Sequence, residues 1–72
     1  MSKSISIIDF LSTEQTRGEI LNHLELINHS ANFINYIKPL LDYGIIEMTQ
    51  PNKPNSQHQK YRLTEKGKKL LK

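Results

Sequence analysis

The sequence contains no cysteine, so a disulfide framework and every thiolate metal site are excluded. A chain of 72 residues without such a staple must hold together through well-packed helices or through a partner. It also lacks any apolar run near the roughly 20 residues that span a bilayer, and no membrane partner is expected. The opening MSKSISIIDF has one lysine and a short apolar patch interrupted by Asp9, with no small-residue cleavage site after it. That is not the pattern of a signal peptide, and a cytoplasmic location is expected. No internal repeat or composition break divides the chain, so one domain over 1–72 is expected. A domain this small buries only about 60% of the surface its unfolded chain exposes, which leaves no volume for a deep catalytic cavity.

Catalytic and metal-binding patterns are equally scarce. His23, His29 and His58 come without cysteine and without a His-x-x-x-His pair, so surface or capping roles are expected rather than a metal site. Serines 2, 4, 6, 12, 30 and 56 have no base at a recognisable spacing, which leaves nucleophilic catalysis unsupported. The expectation is a binding protein, not an enzyme, with no metal, cofactor or small-molecule substrate.

Charge is unevenly spread. Residues 1–52 carry three cations against six carboxylates, whereas 53–72 carry seven cations against Glu65 alone. A basic end of this kind points to an acidic partner. A solvated lysine-rich tail that keeps the protein soluble explains it equally well.

Along the chain, Ile7, Ile8, Phe10 and Leu11 give one apolar face to a short helix over 4–12, although the Ile5/Ile7 alternation also fits a strand. Thr16-Arg17-Gly18-Glu19 reads as a capping box opening a helix over 17–24, with Ile20, Leu21 and Leu24 as its buried stripe. Leu26 and Ile27 are the apolar anchors of the connector. Ser30 is the next candidate N-cap, and Phe33, Ile34, Ile37, Leu40 and Leu41 mark a third helix over 31–43. Gly44 sits where a left-handed residue would end it. Pro39 removes a donor inside this helix and crowds the carbonyl of Asn35, which predicts a kink.

Ile45 to Thr49 reads as a strand with Ile46 and Met48 on one face. QPNKPNSQH is a loop on its turn chemistry. Gln59 to Thr64 is a second strand, with Tyr61 and Leu63 on one side and Lys60 and Arg62 on the other. Thr64 caps a last helix, EKGKKLLK, whose Leu70 and Leu71 are expected to fold back on the core. Gly67 should weaken that helix by about 1 kcal/mol relative to alanine. The fold class is therefore α+β: a winged helix-turn-helix of three helices, a two-stranded hairpin wing and a short C-terminal helix. The predicted core is Ile8, Leu11, Ile20, Leu24, Phe33, Ile37, Leu40, Leu41, Ile46 and Leu63.

In such a fold the third helix is the recognition helix, with Asn32, Asn35, Lys38 or Pro39, and Asp42 outward and Tyr36 at the flank. Asn32 and Asn35 can pair with adenine in a major groove, with Tyr36 beside them; polar surface is the plainer reading. The helix is electrically neutral, so affinity for DNA would come from phosphate contacts elsewhere. The candidates are Lys38, Lys53, Lys60, Arg62, Lys66 and Lys69, although lysines on an edge strand also guard against aggregation. Double-stranded DNA is one expected partner; a protein partner or a second copy of the chain is the other.

The run KPLLDYGIIEMT, then PNKPNS, then QKYRLTEKG, resembles a bacterial and archaeal winged-helix type. That type stands at the C-terminal end of Fic-domain proteins and of divergent ATP-binding proteins labelled as transcriptional regulators or helicase-related. The resemblance covers roughly residues 5–70. Its PNKPNS wing followed by QKYRLT is more specific than LLDYGIIE, which many winged helices share. The His-x-Phe-x-x-Gly-Asn-Gly-Arg run of a Fic active site is absent, as is a Gly-rich phosphate loop. The resemblance therefore implies an accessory winged-helix module and none of the enzymatic activities.

Overall fold

The computed structural model describes residues 2–54 and 56–70. Helix α1 spans Ser2–Phe10, a short strand β1 Gln15–Thr16, and α2 Arg17–His23. A longer helix, α3, runs over 30–42, followed by β2 Ile46–Met48, β3 Lys60–Leu63 and α4 Glu65–Lys69. This is the expected α+β winged-helix arrangement with one addition. Gln15 and Thr16 pair antiparallel with Tyr61 and Lys60, so the sheet has three strands in the order β1-β3-β2. Two residues are too few to show alternation, which is why the sequence does not announce β1.

The expected faces hold on the hairpin. Ile46 faces Leu63 and Met48 faces Tyr61, which puts all four on the face turned to the helices. The core joins Ile7, Ile8 and Leu11 of α1 and its turn to Ile20 and Leu21 of α2, Ile37 and Leu40 of α3, and Ile46, Tyr61 and Leu63 of the sheet. Three predicted core residues, Leu24, Phe33 and Leu41, are half-buried at its margin, while Ile7, Leu21 and Tyr61 take the central places. Ile27, expected as an anchor, is 79% exposed. Leu70, expected on the core, is exposed too, and Leu71 lies outside the described residues.

The α2 start is built as the sequence indicates. Glu19 N–H donates to Thr16 Oγ1 at 3.2 Å, and Thr16 N–H donates to Glu19 Oε1 at 2.8 Å. The other end closes without a glycine. Leu26 N–H reaches Leu21 O and Glu25 N–H reaches Asn22 O, the two bonds of a Schellman motif. Its left-handed position is Glu25, at φ 61°, where glycine is usual. The same motif closes α3 with Gly44 at φ 72°, as expected. The N-cap of α3 is His29 rather than Ser30: its Nδ1 accepts from Ala31 N–H at 3.1 Å, so Ser30 falls into the first turn.

Pro39 does not break α3. The helix is α over Ser30–Asn32, widens to a π turn over Phe33–Ile37 and returns to α over Lys38–Asp42. Lys38 N–H donates to Phe33 O, five residues back. A proline ring collides with the carbonyl four residues before it, here Asn35, and a widened turn at that place relieves the crowding. The inserted residue also turns Ile34 outward, to 55% exposure, although its spacing had placed it in the apolar stripe.

The capping box carries a pH signature. The Thr16 backbone N–H, and next the Thr16 hydroxyl, hold the Glu19 carboxyl below its ordinary 4.5, with Lys60 adding a smaller attraction. A carboxyl depressed in the folded state stabilises the fold above its unfolded value. That contribution is lost as pH falls from 4.5 through the depressed folded value. Glu19→Gln, which keeps the reach of the side chain, is therefore expected to flatten the acid limb of the melting temperature against pH. An unchanged slope below pH 4.5 would show that the carboxylate charge contributes nothing there.

Candidate functional site

The recognition helix presents a sparse outer surface. Asn35 is exposed. Lys38 is exposed but ion-paired with Asp42 one turn on, at 3.2 Å. Tyr36 is half-buried against the core. Asn32 is half-buried, and its Nδ2 donates to Ile27 O at 2.7 Å, tying the connector to the first turn of α3. Of the three side chains proposed from sequence to read bases, Asn35 alone is both exposed and uncommitted among the described residues.

The wing is held by a residue the sequence reading passed over. Gln59 is 3% exposed, the one buried polar residue among those described. Its Oε1 accepts from Gln50 N–H at 2.8 Å, and its Nε2 donates to Gln50 O and, at 2.9 Å, to Lys53 O. One amide thus closes the loop and fixes the turn that carries the exposed Lys53 side chain. The signal for this was absent from the sequence, because a glutamine at a strand start looks like any polar residue.

The other basic residues do not converge. Arg62 Nε lies 2.7 Å from Glu47 on β2, and its Nη1 lies 3.9 Å from Glu14 before β1. Lys60 stands across from Thr16, where its charge is felt by Glu19. The outer face of β3 therefore sets two cations among three carboxylates, with Arg62 ion-paired to two of them. Helix α4 continues from the base of the hairpin, away from the wing tip. There Lys66 Nζ donates to Tyr43 O at 2.9 Å, at the end of α3, and Lys68 lies 3.7 Å from Glu65. Lys69 is exposed on the same helix.

A different surface has a lining without carboxylates. Residues 26–41 and 48–64 contain no aspartate or glutamate, and the fold sets their ends side by side. A cavity of about 380 Å³ is lined by Thr16, Arg17 and Gly18 at the α2 start, Asn28 of the connector, Pro54, Ser56, Gln57 and Gln59 of the wing, and Tyr61. Arg17 Nε donates to Asn28 Oδ1 at 3.1 Å, and its guanidinium lies over the Phe33 ring, 5.3 Å from the centroid. Arg17 was not among the sequence candidates, since a lone arginine inside a capping box reads as a solvated helix residue.

The histidines stay apart: His23 stacks on Phe10 at 4.1 Å, His29 caps α3, and His58 is exposed in the wing. No group of three metal-ligating side chains occurs among the described residues, nor is any described helix long and apolar enough to cross a membrane.

Comparison with known proteins bears on this fold directly. A crystal structure of a Fic family protein from Desulfovibrio desulfuricans G20 matches with a TM-score of 0.79 and 33% sequence identity, over 93% of this chain. The chain spans 21% of the length of that protein. No curated protein matches. The family model described as "Filamentation induced by cAMP protein Fic-like, C-terminal domain" matches residues 3–64, so nearly the whole described fold, and the chain belongs to that family of Fic-like C-terminal domains.

Proposed function

We propose that this domain is a regulatory winged-helix module that binds duplex DNA and performs no catalysis itself. The observation that supports this reading is the carboxylate-free lining shared by the α2 start, the connector before α3 and the wing. A polyanion approaching there meets Arg17 and Asn28 on a lining that contains no carboxylate, with Lys53 on the same wing and Asn35 on the helix that follows the connector, whereas the β3 face sets Glu14, Glu19 and Glu47 near Lys60 and Arg62. Phosphate neutralisation dominates DNA affinity, so the contribution of each cation depends on whether it already has a partner and on which end of the hairpin it stands.

The test is a titration of labelled duplex at two ionic strengths. Lys53→Ala is expected to weaken binding to any duplex and to reduce the salt slope by about 0.9, the value of one lost phosphate contact. Lys69→Ala, on α4 at the hairpin base, is expected to leave that slope unchanged. Asn35→Ala should alter sequence preference more than affinity, since an amide pair to a base discriminates by about 1–3 kcal/mol. The reverse ranking of the two lysines would move the interface to α4 and refute the proposed face.

Exposed Ile34 on α3 and Ile27 in the connector favour a second reading, a protein partner on the same helix. Failure to bind any duplex at low salt, together with loss of a protein partner on Ile34→Ser, would support that reading over the first.

A further inference from the structure

We propose that the cavity between the α2 start and the wing is a seat for a single phosphate group, with Arg17 as its principal ligand. On the reading above, that phosphate is a phosphodiester of the duplex backbone. The inference rests on that reading for the source of the phosphate, not for its chemistry.

Arg17 is held in place without being neutralised. Its Nε is taken by Asn28 Oδ1, and its guanidinium carbon lies over the Phe33 ring, 5.3 Å from the centroid. These two contacts hold the guanidinium, and its η nitrogens have no hydrogen-bond or ion-pair partner among the described residues. No carboxylate lies within ion-pair distance among the described residues, and none lines the cavity. Arg62, by contrast, spends its charge on Glu47. A planar fork with fixed orientation is the group best matched to two phosphate oxygens.

The remaining walls supply further donors. Tyr61 is 3% exposed and lines this cavity, and no hydrogen bond of its hydroxyl occurs among the described residues. Burial pushes the Tyr61 pKa up, against a smaller opposing pull from Arg17, so the hydroxyl keeps its proton at neutral pH and can donate. Ser56 Oγ accepts from His58 N–H at 3.1 Å, and its own proton has no acceptor among the described residues. The Gln57 amide is exposed on the same rim. Donors thus come from the helix side and from the wing side, an arrangement that suits a tetrahedral oxyanion with acceptors in several directions. The position matters as well: a backbone phosphate seated here lies between the α2 start, the connector that leads into α3, and the wing.

The experiment uses two probes on the isotopically labelled chain: inorganic phosphate followed by NMR, and a short duplex followed by fluorescence anisotropy. Phosphate is expected to shift the Arg17 side-chain Nε–H and the Gly18, Asn28 and Ser56 amides saturably, with sodium chloride at equal ionic strength giving no such pattern. Arg17→Gln is expected to abolish those shifts and to weaken the duplex about tenfold, as for one charge-assisted contact. Arg17→Lys, which keeps the charge but not the fork, should restore only part of the affinity. An unchanged melting temperature in Arg17→Gln separates lost binding from lost fold. Phosphate shifts spread evenly over the lysines, or full duplex affinity in Arg17→Gln, would overturn the seat. A wild-type chain that binds phosphate at Arg17 but no duplex at low salt would refute the DNA reading while the seat stands.

Discussion

Gly67→Ala is expected to lower the melting temperature by roughly 10–20 °C, a loss of about 2–3 kcal/mol for a domain of this size. Helix propensity alone gives the opposite sign, because alanine is better than glycine by about 1 kcal/mol in a helix interior. Packing decides the matter. Gly67 is buried, and a Cβ there would overlap the Ile45 carbonyl oxygen and come within 3.2 Å of Leu63 Cδ2. The leucine methyl can move, but the carbonyl cannot. Ile45 O accepts from Thr64 N–H at 3.0 Å, the Thr64 hydroxyl donates to Gly44 O with Ile45 O a second acceptor at 3.1 Å, and the hydroxyl oxygen accepts from Gly67 N–H at 3.1 Å as the cap of α4. Relieving the overlap would pull apart the junction of α3, β3 and α4. Thermal melts of Gly67→Ala beside Lys68→Ala, an exposed neighbour, isolate this effect. A Gly67→Ala protein as stable as wild type would mean that α4 can lift away without cost.

The same residue marks the limit of what the sequence discloses. Elements with a local cause were legible. The capping box at Thr16 and Glu19 needs four residues, the Gly44 stop needs one, and the alternation of Tyr61 and Leu63 against Lys60 and Arg62 orients the hairpin unaided. Features with a cause far along the chain were not. Gly67 answers to Ile45, Gln59 to Gln50 and Lys53, and β1 exists because β3 offers it an edge. The candidate site divides in the same way. The count of lysines pointed to the tail, but which cations are free depends on carboxylates that arrive from other elements: Glu14 and Glu47 to Arg62, Asp42 to Lys38. Arg17 emerged as the best-placed cation only when the fold brought Asn28, Phe33 and the wing around it.

Ile37→Ala is expected to cost about 2–5 kcal/mol, the range for truncating a fully buried isoleucine. Ile37 is 0% exposed. A domain of this length has a total stability of only about 4–11 kcal/mol, so the variant should lose a large part of it and show a clearly lower urea midpoint at unchanged slope. The position makes a second effect measurable. Ile37 is the last residue of the π turn, and a π turn is less favourable than α and persists where something holds it. Two things do so here: the Pro39 ring, which crowds the Asn35 carbonyl, and the burial of Ile37 together with Leu40 against the sheet. In Ile37→Ala the packing restraint goes while the proline remains. The Lys38 amide, whose partner is Phe33 O, should then lose hydrogen-exchange protection to a greater degree than the Ile20 and Leu21 amides of α2. Adding Pro39→Ala restores an N–H that can reach Asn35 O, and the helix can close to α throughout. That closure shifts Phe33 and Ile34 by one residue relative to Leu40, so the double variant should change the Phe33 contact with Arg17, read from the Arg17 Nε–H resonance. If Lys38 stays protected in Ile37→Ala and Arg17 is unmoved in the double variant, the π turn is held by neither restraint, and the account of how Pro39 is accommodated fails.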